Sequence, residues 1–294
     1  MSTASTPERA APAPFGTAGD ASRDEPRAGF GALAAAEWIK LRSLRSTYAV
    51  LLTGALAIIA ICANSARSNV HLIETNGTEE QRQAIDPMNA PFIPDAYLIL
   101  LIVCGAVGAM AVAGEFGSGS IRTTFAAVPA RRQVIAAKAA VVTAVTLVFG
   151  TVVAVSSFAL TQAIFHQVRI GLPFDAPGAP RAIAATALLA PLSALVGLGL
   201  GALVRHGAGA VMAVVGVLAV LPRFFMGETY RWVKEIGNAM PLPAWSALVE
   251  NPRPHHVAVP VRYPVESGEA WIVFGAWTLA AVVVAVLVVQ RRDV

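Results

Sequence analysis

Charged residues are scarce in this chain of 294 residues, since Asp, Glu, Lys and Arg together make up only 14% of it. Soluble globular domains carry about 25%. Hydrophobic residues make up 56% of the chain, and the mean hydropathy is +0.63. So low a charge content in so apolar a chain excludes an ordinary soluble domain and predicts an all-α integral membrane protein.

Cysteine is also scarce. The two cysteines, Cys62 and Cys104, lie inside apolar runs and have no spacing typical of a zinc site. A thiol in such a run is expected to pack as a small hydrophobic group. The apolar segments contain no grouping of Ser with His and no paired Asp residues. We therefore expect no metal site, no catalytic site and no redox chemistry.

Lysine is the rarest of the charged residues, with only Lys40, Lys138 and Lys234 in the sequence. A P-loop needs a Gly-Lys pair, because its lysine reaches the phosphates of the bound nucleotide. Here the three lysines follow Ile, Ala and Val. The chain is therefore not expected to bind ATP through a P-loop, and we expect it to hold no cofactor of its own.

Long apolar runs dominate what is present. A helix needs about 20 apolar residues to cross the hydrocarbon core of a bilayer. Six runs approach that length, at 47–63, 96–113, 139–165, 183–204, 207–225 and 271–289. Residues 1–30 are rich in Ala, Pro, Ser, Thr and charge, and predict a disordered tail. We thus expect a tail over 1–30, an interfacial helix over 31–46 and a six-span membrane domain over 47–294.

The charge distribution predicts the orientation of these spans. Thirteen of the 22 Lys and Arg residues fall on the side of the two termini, and most of the acidic residues between the spans fall on the other side. By the positive-inside rule both termini are expected to be cytoplasmic, in a multi-pass protein of the plasma membrane. Topology thus accounts for the pI near 9.4 without nucleic acid as a partner.

The segment 31–46 predicts an amphipathic helix lying along the cytoplasmic interface. Its apolar arc is interrupted by Glu37 and consists of Leu33, Ala34, Trp38, Leu41 and Leu44. Trp38 is expected at the headgroup boundary, and the cations near the lipid phosphates are Lys40, Arg42 and Arg45. A generic anchor to membrane lipids is the simplest interpretation of these residues.

The most distinctive segment is 114–138, GEFGSGSIRTTFAAVPARRQVIAAK, where the apolar chain becomes basic and turn-forming. Ser118 and Ser120 are suitable N-caps for a two-turn helix that Pro129 would end. Its apolar face would carry Ile121 and Phe125, and Arg122 would point elsewhere. The cations that follow are expected at headgroup level: Arg131, Arg132 and Lys138. The short helix could lie on the membrane or dock into a groove on another protein, and the alternative is an ordinary positive-inside loop.

On the opposite side, the segment 222–269 predicts short amphipathic helices broken at Pro241 and Pro243. An ordinary external loop is one interpretation of this segment, and re-entry into the membrane is the interpretation that the family resemblance described next implies. Non-helical backbone is tolerated inside the membrane only where protein or water satisfies its polar groups. The sequence leaves both interpretations open.

Taken together, the interfacial AEWIKLRSLRST segment, the six spans and the 114–138 segment resemble the ABC type-2 permease family, particularly its actinobacterial members. The resemblance covers about residues 31–294. It implies that the loop and the interfacial helix contact a separate ATPase subunit. The implied coupling residues are Gly114, Glu115, Gly117, Gly119, Ile121, Arg122, Phe125, Pro129, Arg131, Arg132 and Lys138; those of the interfacial helix are Glu37, Trp38, Lys40, Arg42 and Arg45.

The same resemblance implies an exporter in which ATP and Mg²⁺ are bound by the separate P-loop ATPase. Six spans would then be half of a pathway formed by a homodimer or a pair of permeases. A non-transporting membrane scaffold or sensor that docks a cytoplasmic partner is the alternative.

Overall fold

A computed structural model describes residues 29–78, 82, 84–120, 131–227, 229–252 and 263–291. These residues form nine α-helices and no strand. The helices are α1 (Phe30–Ser43), α2 (Arg45–Asn76), α3 (Pro94–Ser118), α4 (Arg131–His166), α5 (Ala179–Val204), α6 (Gly207–Val215), α7 (Arg231–Asn238), α8 (Pro241–Val249) and α9 (Ser267–Arg291). A π-helical turn (Gly216–Val220) and a 3-10 turn (Leu221–Phe225) continue α6.

Six helical segments of the described chain are long and apolar enough to cross a membrane, which confirms the six-span, all-α prediction. They are α2, α3, α4, α5, α6 with its continuation, and α9. The predicted start of the third span, at residue 139, was late, because α4 begins at Arg131. The first span was predicted to end at residue 63, but α2 continues to Asn76. Both helices extend past their apolar parts because backbone hydrogen bonding continues through polar residues.

Helix α5 lies at the centre of the bundle, packed against α3, α4 and α9. Small residues allow α3 and α5 to touch backbone to backbone. A Cβ added at Gly108 would lie 1.8 Å from the carbonyl oxygen of Ala194, and one at Gly197 would lie 1.9 Å from that of Gly105. Neither position has room for a side chain. Such close approach through small residues is typical of helices packed inside membranes.

The two ends of the described chain lie at the same end of the bundle, called here the terminus end. Helix α1 packs against α4 near its start. At the same end, Arg132 Nη2 donates a hydrogen bond of 3.1 Å to Gln290 Oε1, close to the end of α9. The opposite end, called here the far end, holds the starts of α3, α5 and α9. An even number of crossings therefore returns the chain to the terminus end.

At the far end, α8 inserts between α5 and α9. Trp245 is fully buried, its ring centroid lies 4.8 Å from that of Tyr97, and its Nε1 donates to Thr186 Oγ1 at 2.9 Å. Thr186 lies about 10 Å along α5 from Ala179, at about 1.5 Å per residue. The segment therefore packs into the bundle, and its re-entry into the membrane stays a prediction.

The predicted breaks in this segment were wrong in position. Pro241 and Pro243 do not interrupt helices; both lie in the first turn of α8. Proline is tolerated there because the first amides of a helix have no intrahelical acceptor to bond. The break falls instead at Ala239 and Met240, between α7 and α8.

Candidate functional site

Four charged side chains meet at the terminus end and form what we call the ion cluster: Glu37, Lys40, Glu115 and Lys138. Lys40 Nζ donates to Glu37 Oε1 and to Glu115 Oε1, at 2.9 Å each. Lys138 Nζ donates to the same Glu115 Oε1 at 2.9 Å and also to Glu37 Oε2. The four formal charges cancel. Each carboxylate therefore accepts from both ammonium groups, which closes the cluster into a ring.

The cluster joins three separate helices. Glu37 and Lys40 come from α1, Glu115 from the last turn of α3, and Lys138 from the third turn of α4. Residues 119–130 connect the last two of these helices. The ion cluster therefore ties α1 to both sides of the segment that the sequence identifies as a coupling loop.

Helix α1 presents Glu37 to the cluster through its buried face. Leu33, Glu37 and Leu41 are spaced four residues apart and are the buried residues of this helix. Residues at this spacing lie one above the other on one side of an α-helix. The two leucines hold α1 against the bundle and place the carboxylate between them. Ser43 ends the helix, and Leu44 adopts an extended backbone before α2 begins.

Because the ion cluster is buried, its ion pairs strongly affect the stability of the folded chain. The side chains of Glu37 and Lys138 are 7% and 5% exposed, and that of Glu115 is 13% exposed. Removing a charge from water costs several kcal/mol, and only a partner with good hydrogen bonds offsets this. Deleting one member would leave the others incompletely compensated. The cluster thus requires α1, α3 and α4 to keep their relative positions.

Lys40 is the member that faces water, with 42% of its side chain exposed. Burial lowers the pKa of its ammonium group, but the hydrogen bonds to Glu37 and Glu115 outweigh burial and raise the pKa above its ordinary value of 10.5. Because the folded-state pKa of Lys40 is raised, its contribution to stability is complete below pH 10.5 as long as the two glutamates are ionised. That contribution is lost as the pH rises through the raised pKa.

The structure adds partners that the sequence did not show for two of these residues. Glu37, which interrupts the apolar arc in the sequence, lies at the centre of the buried face of α1. Lys138 is 4% exposed and bonded to both glutamates, and its expected place at headgroup level stays a prediction. In each case a buried partner of opposite charge offsets the cost of removing a charged group from water.

The remaining predicted residues of the interfacial helix and the loop are distributed around the cluster. Arg42 and Arg45 are exposed, as is Arg132, and Arg131 is half-buried. The residues Ile121, Arg122, Phe125 and Pro129 lie outside the described residues.

The glycines of the loop segment differ in what they do. Gly119 adopts the left-handed conformation with φ of 72° and ends α3, its N–H donating to Phe116 O. Glycine is favoured at this position because it has no Cβ to clash. Gly114 and Gly117 lie within α3, and a Cβ at Gly117 would meet no atom within 4 Å. Ser118, expected to cap the next helix, is instead the last residue of α3.

Sequence reasoning missed Arg181. At the far end this guanidinium group donates to the carbonyl oxygens of Leu248 and Glu250, at 2.9 and 2.6 Å, and to Ser267 Oγ at 2.9 Å. It therefore caps the end of α8 and links α5 to the start of α9. The only signal in the sequence was a lone Arg among small residues at the start of an apolar run.

Arg205 was also given no role. It follows α5 in a left-handed conformation with φ of 58°, and its guanidinium carbon lies 4.8 Å from the ring centroid of Phe116 at the end of α3. A cation over an aromatic face is attracted to the ring. This contact holds the terminus ends of α3 and α5 together, and Phe116 directly follows Glu115 of the ion cluster.

The chain has been compared with known proteins. The family model described as ABC-2 family transporter protein matches residues 33–198. That range includes the whole ion cluster and five of the nine α-helices that the described residues form, from near the start of α1 almost to the end of α5. No curated protein matches the chain. Since the family match covers more than half of the sequence, the chain belongs to the ABC-2 family of transporter proteins.

Proposed function

We propose that this chain is the permease subunit of an ATP-driven exporter and that a separate P-loop ATPase docks at its terminus end. Membership of the family makes the chain the membrane subunit of a transporter rather than an enzyme. The export direction rests on the family resemblance. ATP and Mg²⁺ are then bound by the partner, because none of the three lysines of this chain follows a glycine.

The observation that carries the proposal is the double bonding of Lys138, to Glu37 on α1 and to Glu115 on α3. A subunit that pushes on the 119–130 loop acts on the ends of α3 and α4. Because the ion cluster fastens α1 to those same ends, the interfacial helix and two membrane-spanning helices move as one unit. Motion of the ATPase is thus passed into the bundle through rigid contacts rather than through a loose loop.

The pathway is proposed to form between two such subunits. Large apolar side chains remain exposed along the membrane-spanning helices, including Leu52, Leu56, Val148, Met212 and Ile272. Lipid covers many of these positions, and a second permease covers the rest. We place the terminus end in the cytoplasm, in a plasma membrane, because most of the basic residues lie there.

The proposal is tested by purifying the tagged chain from its native membranes in mild detergent. We expect a P-loop ATPase, identified by mass spectrometry, to co-elute with ATP-hydrolysing activity. The Arg122→Ala variant should lose most of this ATPase. The matched control is Arg231→Ala, since Arg231 is an exposed arginine at the far end that forms an ion pair with Glu235 of its own helix.

Each outcome has a definite meaning. An ATPase retained by wild type and control but lost by Arg122→Ala supports coupling through the loop. If the folded wild-type chain is purified from its native membranes and no P-loop ATPase co-elutes with it, that result contradicts the proposal and favours the scaffold interpretation. Transport that continues without any ATPase partner would contradict it as well.

A further inference from the structure

A cavity of about 640 Å³ lies beside the ion cluster, where α1, α2, α3 and α4 meet. Its volume is in the range of about 300–1,000 Å³ that is typical of small-molecule sites. All four members of the ion cluster line one end of it. The walls away from the cluster are apolar, and include Val107 and Met110 of α3 and Val141 of α4. The cavity therefore has one charged end and one apolar end.

The depth of the cavity matches one leaflet of a bilayer. Along α3 its lining runs from Glu115 to Ala106, a rise of about 14 Å at about 1.5 Å per residue. Half of the hydrocarbon core of a bilayer is about 15 Å thick. The charged end would then lie at headgroup level and the apolar end near the middle of the bilayer.

Several lining residues lie open on the outer surface of the bundle at this depth. Leu44, Val50 and Met110 line the cavity and are 52%, 44% and 47% exposed. Val50 lies about 8 Å along α2 from its start, and Met110 about 12 Å from the end of α3, by the rise per residue of an α-helix. Both depths fall within the hydrocarbon core, where the surrounding solvent is lipid and not water.

The charged end carries the groups that bind a phosphate. Ser43, Ser46 and Thr47 line it with hydroxyl groups beside Lys40. Within the ion cluster the charges cancel, so it contributes no net charge. The two exposed arginines that flank this end, at positions 42 and 45, make no ion pair with any described residue. They do not line the cavity themselves, but each is a sequence neighbour of lining residues and adds positive charge near this end.

We propose that this cavity binds one anionic phospholipid of the surrounding membrane. One acyl chain would occupy the apolar end, and the phosphate would lie beside Lys40 and the hydroxyl groups of the α1–α2 corner, within reach of Arg42 and Arg45. The bound lipid fills the space between α1 and the bundle and holds the ion cluster in place. This binding depends on the membrane orientation of the chain but not on the ATPase partner.

The test is native mass spectrometry of the purified chain, delipidated and then reloaded from vesicles of equimolar phosphatidylglycerol and phosphatidylcholine. We expect one retained lipid per chain, with phosphatidylglycerol preferred. The Ala106→Phe variant fills the apolar end and should lose the retained lipid. The matched control is Ala280→Phe, because Ala280 is exposed on α9 and does not line the cavity.

A charge variant tests the headgroup part of the proposal separately. Replacing both Arg42 and Arg45 with Gln should leave lipid bound but reduce the preference for phosphatidylglycerol by about 30-fold, which is equivalent to about 2 kcal/mol for two juxtamembrane cations. Its control replaces Arg223 and Arg231 with Gln, both of which are exposed at the far end.

The results that would overturn the proposal are equally definite. If Ala106→Phe retains as much lipid as Ala280→Phe, the cavity is not the binding site. If wild type retains both lipids equally, the anionic part is wrong. Should Ala106→Phe fail to fold, Val50→Trp replaces it, because Val50 lines the cavity and is 44% exposed, so a larger side chain there does not disturb the buried interior of the protein. A retained lipid in that variant would contradict the site in the same way.

Discussion

The contacts within the ion cluster predict that replacing its members one at a time lowers the free energy of unfolding by different amounts. Replacing Lys138 with Met leaves Glu37 and Glu115, both largely buried, with only the half-exposed Lys40 as a partner. Breaking a buried ion pair by removing one partner costs about 3–5 kcal/mol. We expect Lys138→Met to reduce the free energy of unfolding by an amount in that range, because no other described side chain bonds both carboxylates from inside the bundle.

The other single replacements should be milder, in a defined order. Replacing Glu37 with Leu leaves Lys138 bonded to Glu115, so the remaining charge keeps one strong partner. Replacing Lys40 with Met removes a side chain that is 42% exposed. Ion pairs at the surface contribute about 0–1 kcal/mol, because water screens them and the long side chains must be ordered. The expected order of destabilisation is therefore Lys138, then Glu37, then Lys40.

The double variant Glu37→Leu with Lys138→Met provides the decisive comparison. It removes one charge of each sign and leaves Lys40 bonded to Glu115 at 2.9 Å. Replacing a buried pair with apolar groups of similar volume is often neutral or stabilising. We expect the double variant to be more stable than Lys138→Met alone, although it carries one more substitution.

The assay is reversible unfolding in mixed detergent micelles, followed by tryptophan fluorescence. A double-mutant cycle isolates the interaction between the two sites, provided that each single variant still folds. Simple addition of the two single effects would refute the reasoning, because independent sites cannot belong to one closed cluster. Equal destabilisation by Lys40→Met and Lys138→Met would refute it too.

Three further predictions concern the bundle and its orientation. Gly197→Ala should destabilise the chain strongly, since its Cβ would lie 1.9 Å from a carbonyl oxygen, whereas Gly275→Ala, with no atom within 4 Å, should be neutral in the same unfolding assay. Arg181→Met should increase hydrogen exchange in α8 and at the start of α9, and Arg231→Met should not. A membrane-impermeant maleimide applied to intact cells should label Arg231→Cys at the far end but not Ser43→Cys at the terminus end. Both native cysteines are buried and should give little background labelling. The reverse pattern would invert the proposed topology.

Much of the architecture follows from the sequence because membrane spans are long, apolar and nearly free of charge. The fifth span, for instance, runs over 207–225 both in the prediction and in the structure. Helix ends were predicted less well, since a helix such as α4 starts eight residues before its apolar run, at Arg131. An apolar composition identifies the part of a helix that lies in the hydrocarbon core. It does not identify the polar turns that extend the helix at either end.

The candidate site was predictable in its parts and not in its arrangement. Glu115 and Lys138 belong to the segment that the sequence singles out, yet their meeting with Glu37 depends on a contact between residues 101 positions apart. Helical periodicity along α1 shows Glu37 between two leucines but does not show what it faces. A charge on an apolar face invites a search for a buried partner of opposite sign, but the chain has 22 Lys and Arg residues, and the sequence does not show which of them lies close to Glu37.

An apolar contact between α1 and the bundle would be simpler and at least as stable as a buried ion cluster. A charged cluster differs because its bonds are directional. Lys40 and Lys138 bond the same oxygen of Glu115, so the relative positions of α1, α3 and α4 are fixed by two bonds that share one acceptor. A junction of this kind stabilises the position of α1 and also transmits to α1 any displacement of the ends of α3 and α4. The Glu37→Leu, Lys138→Met chain separates these two roles: if it folds and retains the ATPase but no longer passes on ATP-driven movement, the charges serve transmission and not stability.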